Sequence, residues 1–218
     1  MELILTLRTT AAIRAFTDEP VSDSTVHAIL DDARFAPSGG NRQPWRVAVV
    51  RDPAVRGRLG DLMRPVWHDY VARAALGVTP YNSVDDRTPE RVVPVPLPLL
   101  DDIADAPVVL AVAADMSKIA LMDSGLERPP LTGGASVYPF CWSILLSARA
   151  HGLGGVMTTF LSRAEPAAAR ELGLPEHHAL AATIFLGVPE RHVTKLRREP
   201  VESFTTVDRF DGPPLTVS

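Results

Sequence analysis

Ala36-Pro-Ser-Gly-Gly-Asn-Arg-Gln-Pro-Trp45 is one of three polar clusters that interrupt an otherwise apolar chain of 218 residues. Pro37 ends any helix that precedes it, because its ring removes an N–H and crowds the turn before it. The Ser38-Gly-Gly turn exposes backbone N–H groups that an anionic or carbonyl-rich ligand can approach closely. Asn41 and Gln43 add amides that donate and accept at once, a match for the edge of a heterocycle. Trp45 then opens a β-branched run to Arg51, which reads as a strand.

Upstream of this stretch, Ser22 stands where an N-cap belongs, and Val26, Ile29, Leu30 and Ala33 follow at offsets of three and four. This spacing predicts a helix over 22–35. Residues 2–10 read as a short amphipathic helix leaving through Thr9-Thr-Ala-Ala-Ile-Arg-Ala-Phe16, and the segment Arg8 to Arg14 is the second polar cluster. Downstream, Asp52-Pro53 pairs a cap with a proline suited to the first helical position, so a helix over about 54–74 follows. Residues 77–98 hold prolines at 80, 89, 94, 96 and 98 and fit no regular element. That long a loop is either a lid or pocket wall, or a plain excursion.

The apolar run 108–114 predicts a strand buried on both faces, and 138–150 a mostly apolar helix stopped by Gly152. Residues 155–160 read as a short strand or extended segment. Ser162-Arg-Ala-Glu165 matches a capping box for a helix ending near Gly173. A last strand covers 180–188, and 190–218 forms an extended, basic-then-acidic tail holding the third cluster, Lys195-Leu-Arg-Arg-Glu-Pro200. Four strands alternating irregularly with helices predict one domain over 1–218, an α+β or mixed α/β sandwich.

Composition narrows the chemistry. With 46% apolar residues the chain can bury a core, and a formal net charge of -4 gives no nucleic-acid footprint. Apolar runs fall far short of the roughly 20 residues that span a bilayer, and the first ten residues do not read as an export signal. Cys141 is alone, which fits a reducing, cytoplasmic setting and, among apolar neighbours, an inert thiol. Histidines at 27, 68, 151, 177, 178 and 192 form no ligand pair on one helical face, so no metal site is expected. Phosphate-loop, dinucleotide and nucleophile-elbow motifs are all missing.

Taken singly, the polar clusters read as solvated arginines and a connector. Together they resemble the FMN-dependent nitroreductase family. The match runs through Ile13-Arg14-x-Phe16, Pro20-Val21, the specific Ala-Pro-Ser-x-x-Asn-x-Gln-Pro-Trp segment at 36–45, Ala-Arg-Ala-His-Gly-Leu-Gly at 148–154, Leu-Gly-Val-Pro at 186–189 and the basic tail.

The resemblance implies an α+β sandwich with a mixed central sheet, paired as a homodimer whose tail embraces its partner, with FMN at the interface. It implies that Arg14 meets the pyrimidine edge of the flavin, that Pro37, Ser38 and Gly39 line the ring or ribityl chain, and that Asn41 and Gln43 offer polar edges. The backbone of Thr158 or Thr159 would face flavin N5. Lys195, Arg197 or Arg198 would take the phosphate, Arg198 matching best. The chain departs from the family at Ala11-Ala12, where an arginine and a serine are usual, and Arg8 is the nearest replacement by spacing.

The implied activity is hydride transfer from NADH or NADPH through FMN to a nitro compound, quinone or similar small acceptor. That mechanism needs neither nucleophile nor metal. Alternatives are a low-turnover flavin-holding protein, and enone reduction or dehalogenation on the same scaffold. Acceptor choice falls to 64–98 and to the partner's contribution, with Trp67, Tyr70 and Tyr81 able to stack on a ring or simply pack.

Overall fold

A four-stranded sheet in the order β1-β2-β4-β3 forms the centre of the molecule, built from β1 (Trp45–Val50), β2 (Val108–Asp115), β3 (Gly154–Thr158) and β4 (His178–Gly187). The computed structural model describes residues 2–216. Helices among the described residues are α1 (Leu3–Thr9), α2 (Asp23–Ala33), α3 (Pro53–Ala74), α4 (Pro98–Asp101), α5 (Tyr138–Ala150), α6 (Phe160–Arg163) and α7 (Glu165–Leu172). The architecture is α+β, as expected. All three ladders are antiparallel. This corrects the mixed sheet: parallel pairing is confined to an isolated bridge between Ala12 and Gly155. Val50 pairs with Val109, so α3 and the segment after it return the chain to the end where β1 stopped, and β2 must run the other way.

Two apolar layers cover the sheet. Val108, Leu110, Val112 and Ala114 of β2 join Val26 and Ile29 of α2 and Phe140, Cys141 and Ile144 of α5 in one cluster. Val109, Ala111 and Ala113 join Leu59 and Met63 of α3, Leu161 of α6 and Ala168 of α7 in the other. Burial on both faces is why β2 is apolar at every position but its last. A register shift at Val112/Ala113 sets Val112 against Ala182 and Ala113 against Leu180. Leu180 and Ala182 therefore serve opposite layers although they are two residues apart.

Local chemistry fixes the element ends. The Ser22 hydroxyl accepts from Thr25 N at 3.1 Å and the Asp52 carboxylate from Ala54 N at 2.8 Å, with Pro53 opening α3. The capping box at 162–165 does not form. Pro166 in the first turn sets the start of α7 at Glu165, which leaves Ser162 inside α6. The Glu165 carboxylate instead accepts from Leu180 N at 2.6 Å and ties α7 to β4.

Residues 12–17 are laced across the ends of β3 and β4. Ile13 N donates to Gly155 O at 2.9 Å, Thr17 N to Val188 O at 2.8 Å, and Phe16 bridges Pro189. Residues 77–97 are irregular and lie along α3, with Trp67 Nε1 donating to Val95 O at 2.9 Å. The tail has one 3-10 turn, Val201–Ser203, and a bridge between Thr206 and Pro214. Among the described residues no helix is long and apolar enough to cross a membrane, and no cluster of three metal-ligating side chains occurs.

Candidate functional site

The 36–45 turn is braced by its own side chains and by Ser136. Ser38 Oγ accepts from Gln43 N at 2.9 Å, Gly39 N donates to Ser136 Oγ at 3.1 Å, and Gln43 Nε2 donates to Asn41 Oδ1 at 3.1 Å. Gly40, Asn41 and Gln43 all adopt left-handed backbone, with φ of 61°, 52° and 48°. Such a turn suits glycine and is tolerated by asparagine. Behind it, the Trp45 ring stacks on Phe140 with centroids 4.7 Å apart, fixing the turn to the α5 layer. The turn thus holds Pro37, Ser38, Gly39, Asn41 and Gln43 together on an exposed ledge beside β1.

The turn after β3 is built oppositely. Thr158 ends the strand and Thr159 caps α6. The hydroxyls of Thr158, Ser162 and Thr183 are buried without a hydrogen-bond partner, and Thr158 and Thr183 face each other across the β3–β4 ladder. A cavity of about 420 Å³ opens here, lined by Val66 and Tyr70 of α3, Pro80 and Tyr81 of the 77–97 segment, and Thr159, Phe160, Ser162 and Arg163.

Tyr81 is the pivot of that wall. Its φ is 56°, and its hydroxyl donates to Asp69 Oδ2 at 2.7 Å. Asp69 also accepts from Arg73 Nε at 2.7 Å, and Arg73 pairs with Asp86. Burial pushes the Tyr81 phenol up to about 12, with the Asp69 hydrogen bond adding to it, so Tyr81 stays a neutral donor. Burial pushes Asp69 upward, but hydrogen bonds from Arg73 and Tyr81 outweigh it and hold the carboxyl below its usual range. The Arg163 guanidinium lies 4.7 Å from the Tyr81 ring centroid.

The other expected residues are dispersed. Arg14 is exposed and lines a recess of about 360 Å³ with Asp18, Asp102, Asp105 and Glu190, which contains none of the other expected residues. Arg8, Lys195, Arg197 and Arg198 are exposed, and none makes an ion pair among the described residues. Two groups that sequence reasoning passed over meet Ala11. Arg149, in the last turn of α5, donates from Nη1 to His192 Nδ1 at 2.8 Å and approaches Thr9 Oγ1 at 3.4 Å. With Thr10, Ala11, Gly154 and Gly155 they line one small recess. Burial, then the Arg149 charge, lowers the His192 pKa and keeps the ring a neutral acceptor. The available signal was a cation at a helix end beside a segment that lacks its usual arginine. Cys141 fits the inert reading, since burial pushes its thiol up to about 12.

Comparison with known proteins places this antiparallel α+β sandwich. The nitroreductase family model matches residues 7–188. A protein of Thermus thermophilus named NADH dehydrogenase is 31% identical over 197 residues, 88% of this chain and 88% of its own. A 5,6-dimethylbenzimidazole synthase of Rhodospirillum rubrum is 30% identical, over 85% of this chain and 82% of its own. The NADPH:FMN oxidoreductase from Vibrio harveyi, solved in complex with NAD+, superposes with a TM-score of 0.69 at 19% identity, covering 95% of this chain and 77% of that one. The chain belongs to the nitroreductase family and is an oxidoreductase.

Proposed function

We propose that the protein is a homodimeric, FMN-dependent oxidoreductase that takes hydride from NADH or NADPH and delivers electrons to a nitro compound, quinone or similar small acceptor. The observation that carries this reading is the sheet edge at β3. Residues 12–13 pair along it, Arg14 follows at its start, and at its end stand Thr158 and Thr159 with an unpartnered buried hydroxyl.

These residues fit FMN by donor type. Bound FMN supplies a ring that accepts hydride and passes electrons to acceptors of several classes. Arg14 offers a cation for the pyrimidine edge, where it favours negative charge. Pro37, Ser38 and Gly39 present backbone, Asn41 and Gln43 present amides, and Thr158 or Thr159 presents backbone toward the ring nitrogen. Lys195, Arg197, Arg198 and Arg8 are cations without carboxylate partners among the described residues, and Arg149 brings a further one beside Ala11. Pairing of two copies is supported by exposed Leu3, Ile4, Leu5 and Leu7 on α1, Tyr138 and Trp142 on α5, and Phe204 and Phe210 in the tail. So much apolar surface calls for cover. The lone, buried Cys141 fits a reducing cytoplasm.

Purification tests the reading. A yellow protein whose spectrum bleaches with NADPH and recovers in air supports it; a yellow protein that does not bleach with NADH or NADPH supports the flavin-holding alternative. Arg14→Ala is expected to weaken FMN binding and slow reduction together. Arg8→Ala, Arg149→Ala and Arg198→Ala are expected to weaken FMN more than riboflavin, which lacks the phosphate.

A further inference from the structure

We propose that Arg73 is the positioning residue of the cavity between α3, the 77–97 segment and the turn after β3: it clamps Tyr81 and residues 86–87 onto α3 and makes that segment a preformed wall and not a lid. The effect on an electron acceptor rests on the oxidoreductase reading; the clamp itself does not.

Apolar packing is weak along this segment. Residues 87–95 face α3 across a gap of about 840 Å³, floored by Val71, Ala72, Ala75 and Leu76, and Val92 and Val93 are exposed. The hydrogen bonds that join the segment to the helix gather at two points. At one, Trp67 Nε1 donates to Val95 O at 2.9 Å. At the other stands Arg73, buried in the last turn of α3. Its Nε donates to Asp69 Oδ2 at 2.7 Å, and its Nη1 reaches both the Asp86 carboxylate and, at 3.1 Å, Arg87 O.

The conformation of Tyr81 shows what the clamp holds. Its φ of 56° is unfavourable for a bulky residue and persists only where the surroundings fix it. Here they do: Asp69 accepts from the Tyr81 hydroxyl at 2.7 Å, and the Arg73 guanidinium lies 4.8 Å from the ring centroid. One carboxylate thus aligns Arg73 and also keeps Tyr81 in the cavity wall beside Pro80. A buried guanidinium cannot release these partners without leaving its charge unmet, so the wall stays on α3 when the cavity is empty. A guest then meets a surface already formed and binds without the cost of ordering a loop.

Chymotrypsin cleavage after Tyr81 in the flavin-loaded protein, followed by mass spectrometry, tests the clamp. Arg73→Gln is expected to speed it about tenfold, since a protease reads how often a segment opens, while amide exchange in β2 changes less than about twofold. Arg73→Lys, keeping the charge, is expected to restore part of the resistance, and Asp86→Ala, at a half-exposed partner, to speed cleavage about threefold. Equal cleavage in the wild type and Arg73→Gln would overturn the clamp. Should Arg73→Gln loosen β2 as well, Asp86→Ala decides, and a wild-type rate there overturns it. With 1,4-benzoquinone as acceptor, Arg73→Gln is expected to raise KM about three- to tenfold and to leave kcat within about twofold. An unchanged KM would overturn the role at the cavity. A protein that neither NADH nor NADPH bleaches fails the oxidoreductase reading, and the cleavage rates still decide the clamp.

Discussion

Two turns at opposite sides of the sheet carry the polar residues of this protein, and they are finished in opposite ways. The 36–45 turn leading into β1 closes on itself: Ser38, Gly39, Asn41 and Gln43 satisfy one another or Ser136. The 158–163 turn leaving β3 has buried hydroxyls at Thr158 and Ser162 that nothing satisfies, opposite a third at Thr183. The first turn has its shape set by its own hydrogen bonds before any ligand arrives. The second keeps polar groups unpaired at a stability cost, which is the usual state of a site awaiting a partner.

Gly155 and Gly39 give the widest expected separation. A Cβ at Gly155 would stand 2.5 Å from Leu186 Cδ2 and 2.7 Å from the Phe185 carbonyl, whereas one at Gly39 would stand 3.4 Å from Ser136 Oγ. Gly155→Ala is expected to lose about 1–3 kcal/mol through overpacking, and Gly39→Ala less than about 0.5 kcal/mol, both read from urea unfolding midpoints. Similar losses at the two sites would erase the distinction between a wedged and a merely exposed glycine.

Removing hydroxyls should then move stability in opposite directions. Ser38→Ala strands Gln43 N and is expected to cost about 0.5–1.5 kcal/mol. Thr183→Val removes a fully buried hydroxyl with no partner and keeps the shape. It is expected to gain up to about 1 kcal/mol, seen as a raised thermal midpoint. A loss at Thr183 would show that its hydroxyl is satisfied after all and that the second turn is as closed as the first.

The smallest effect concerns pH and the brace behind the first turn. Asp123 is buried and accepts from Thr132 Oγ1, Leu131 N, Arg128 and Thr132 N, organising the 116–137 segment that supplies Ser136. The Thr132 hydroxyl first, then the Leu131 N–H and Arg128, hold its carboxyl well below the ordinary value of 3.8. A depressed folded pKa gives stability that is complete above the unfolded value and lost as pH falls through the folded one. The protection of amides in 131–136, relative to their intrinsic exchange rates, is thus expected to be flat around neutrality and to fall only below the ordinary carboxylate range. Asp123→Asn should show the loosened pattern already at neutral pH. If exchange loosened near pH 6 in the wild type, a histidine would be the brace and not Asp123.

Much of the frame was legible. The β-branched run after Trp45, the Ser22 and Asp52 caps, the buried run at 108–114 and the apolar 138–150 segment each became the expected element, because periodicity and capping act over a few residues. The 162–165 capping box failed for an equally local reason, the proline that fixed the helix start one residue before it. Arg149 escaped notice because nothing in its own neighbourhood marks it. It matters only because α5 ends beside the 9–11 segment, some 140 residues earlier in the chain.

The sequence by itself determined the longer helices and the strands, that 36–45 is a turn of amides and glycines, and that the chain follows the nitroreductase pattern, since these follow from neighbours along the chain; the short helices Pro98–Asp101 and Phe160–Arg163 it did not show. Only the tertiary structure decided that the sheet is antiparallel throughout, that the side chains of Asn41 and Gln43 hydrogen-bond each other, and that Ser162, Arg163, Tyr70 and Tyr81 line one cavity. Whether a polar group is satisfied or left open depends on partners distant in sequence, and packing alone brings those within hydrogen-bond reach.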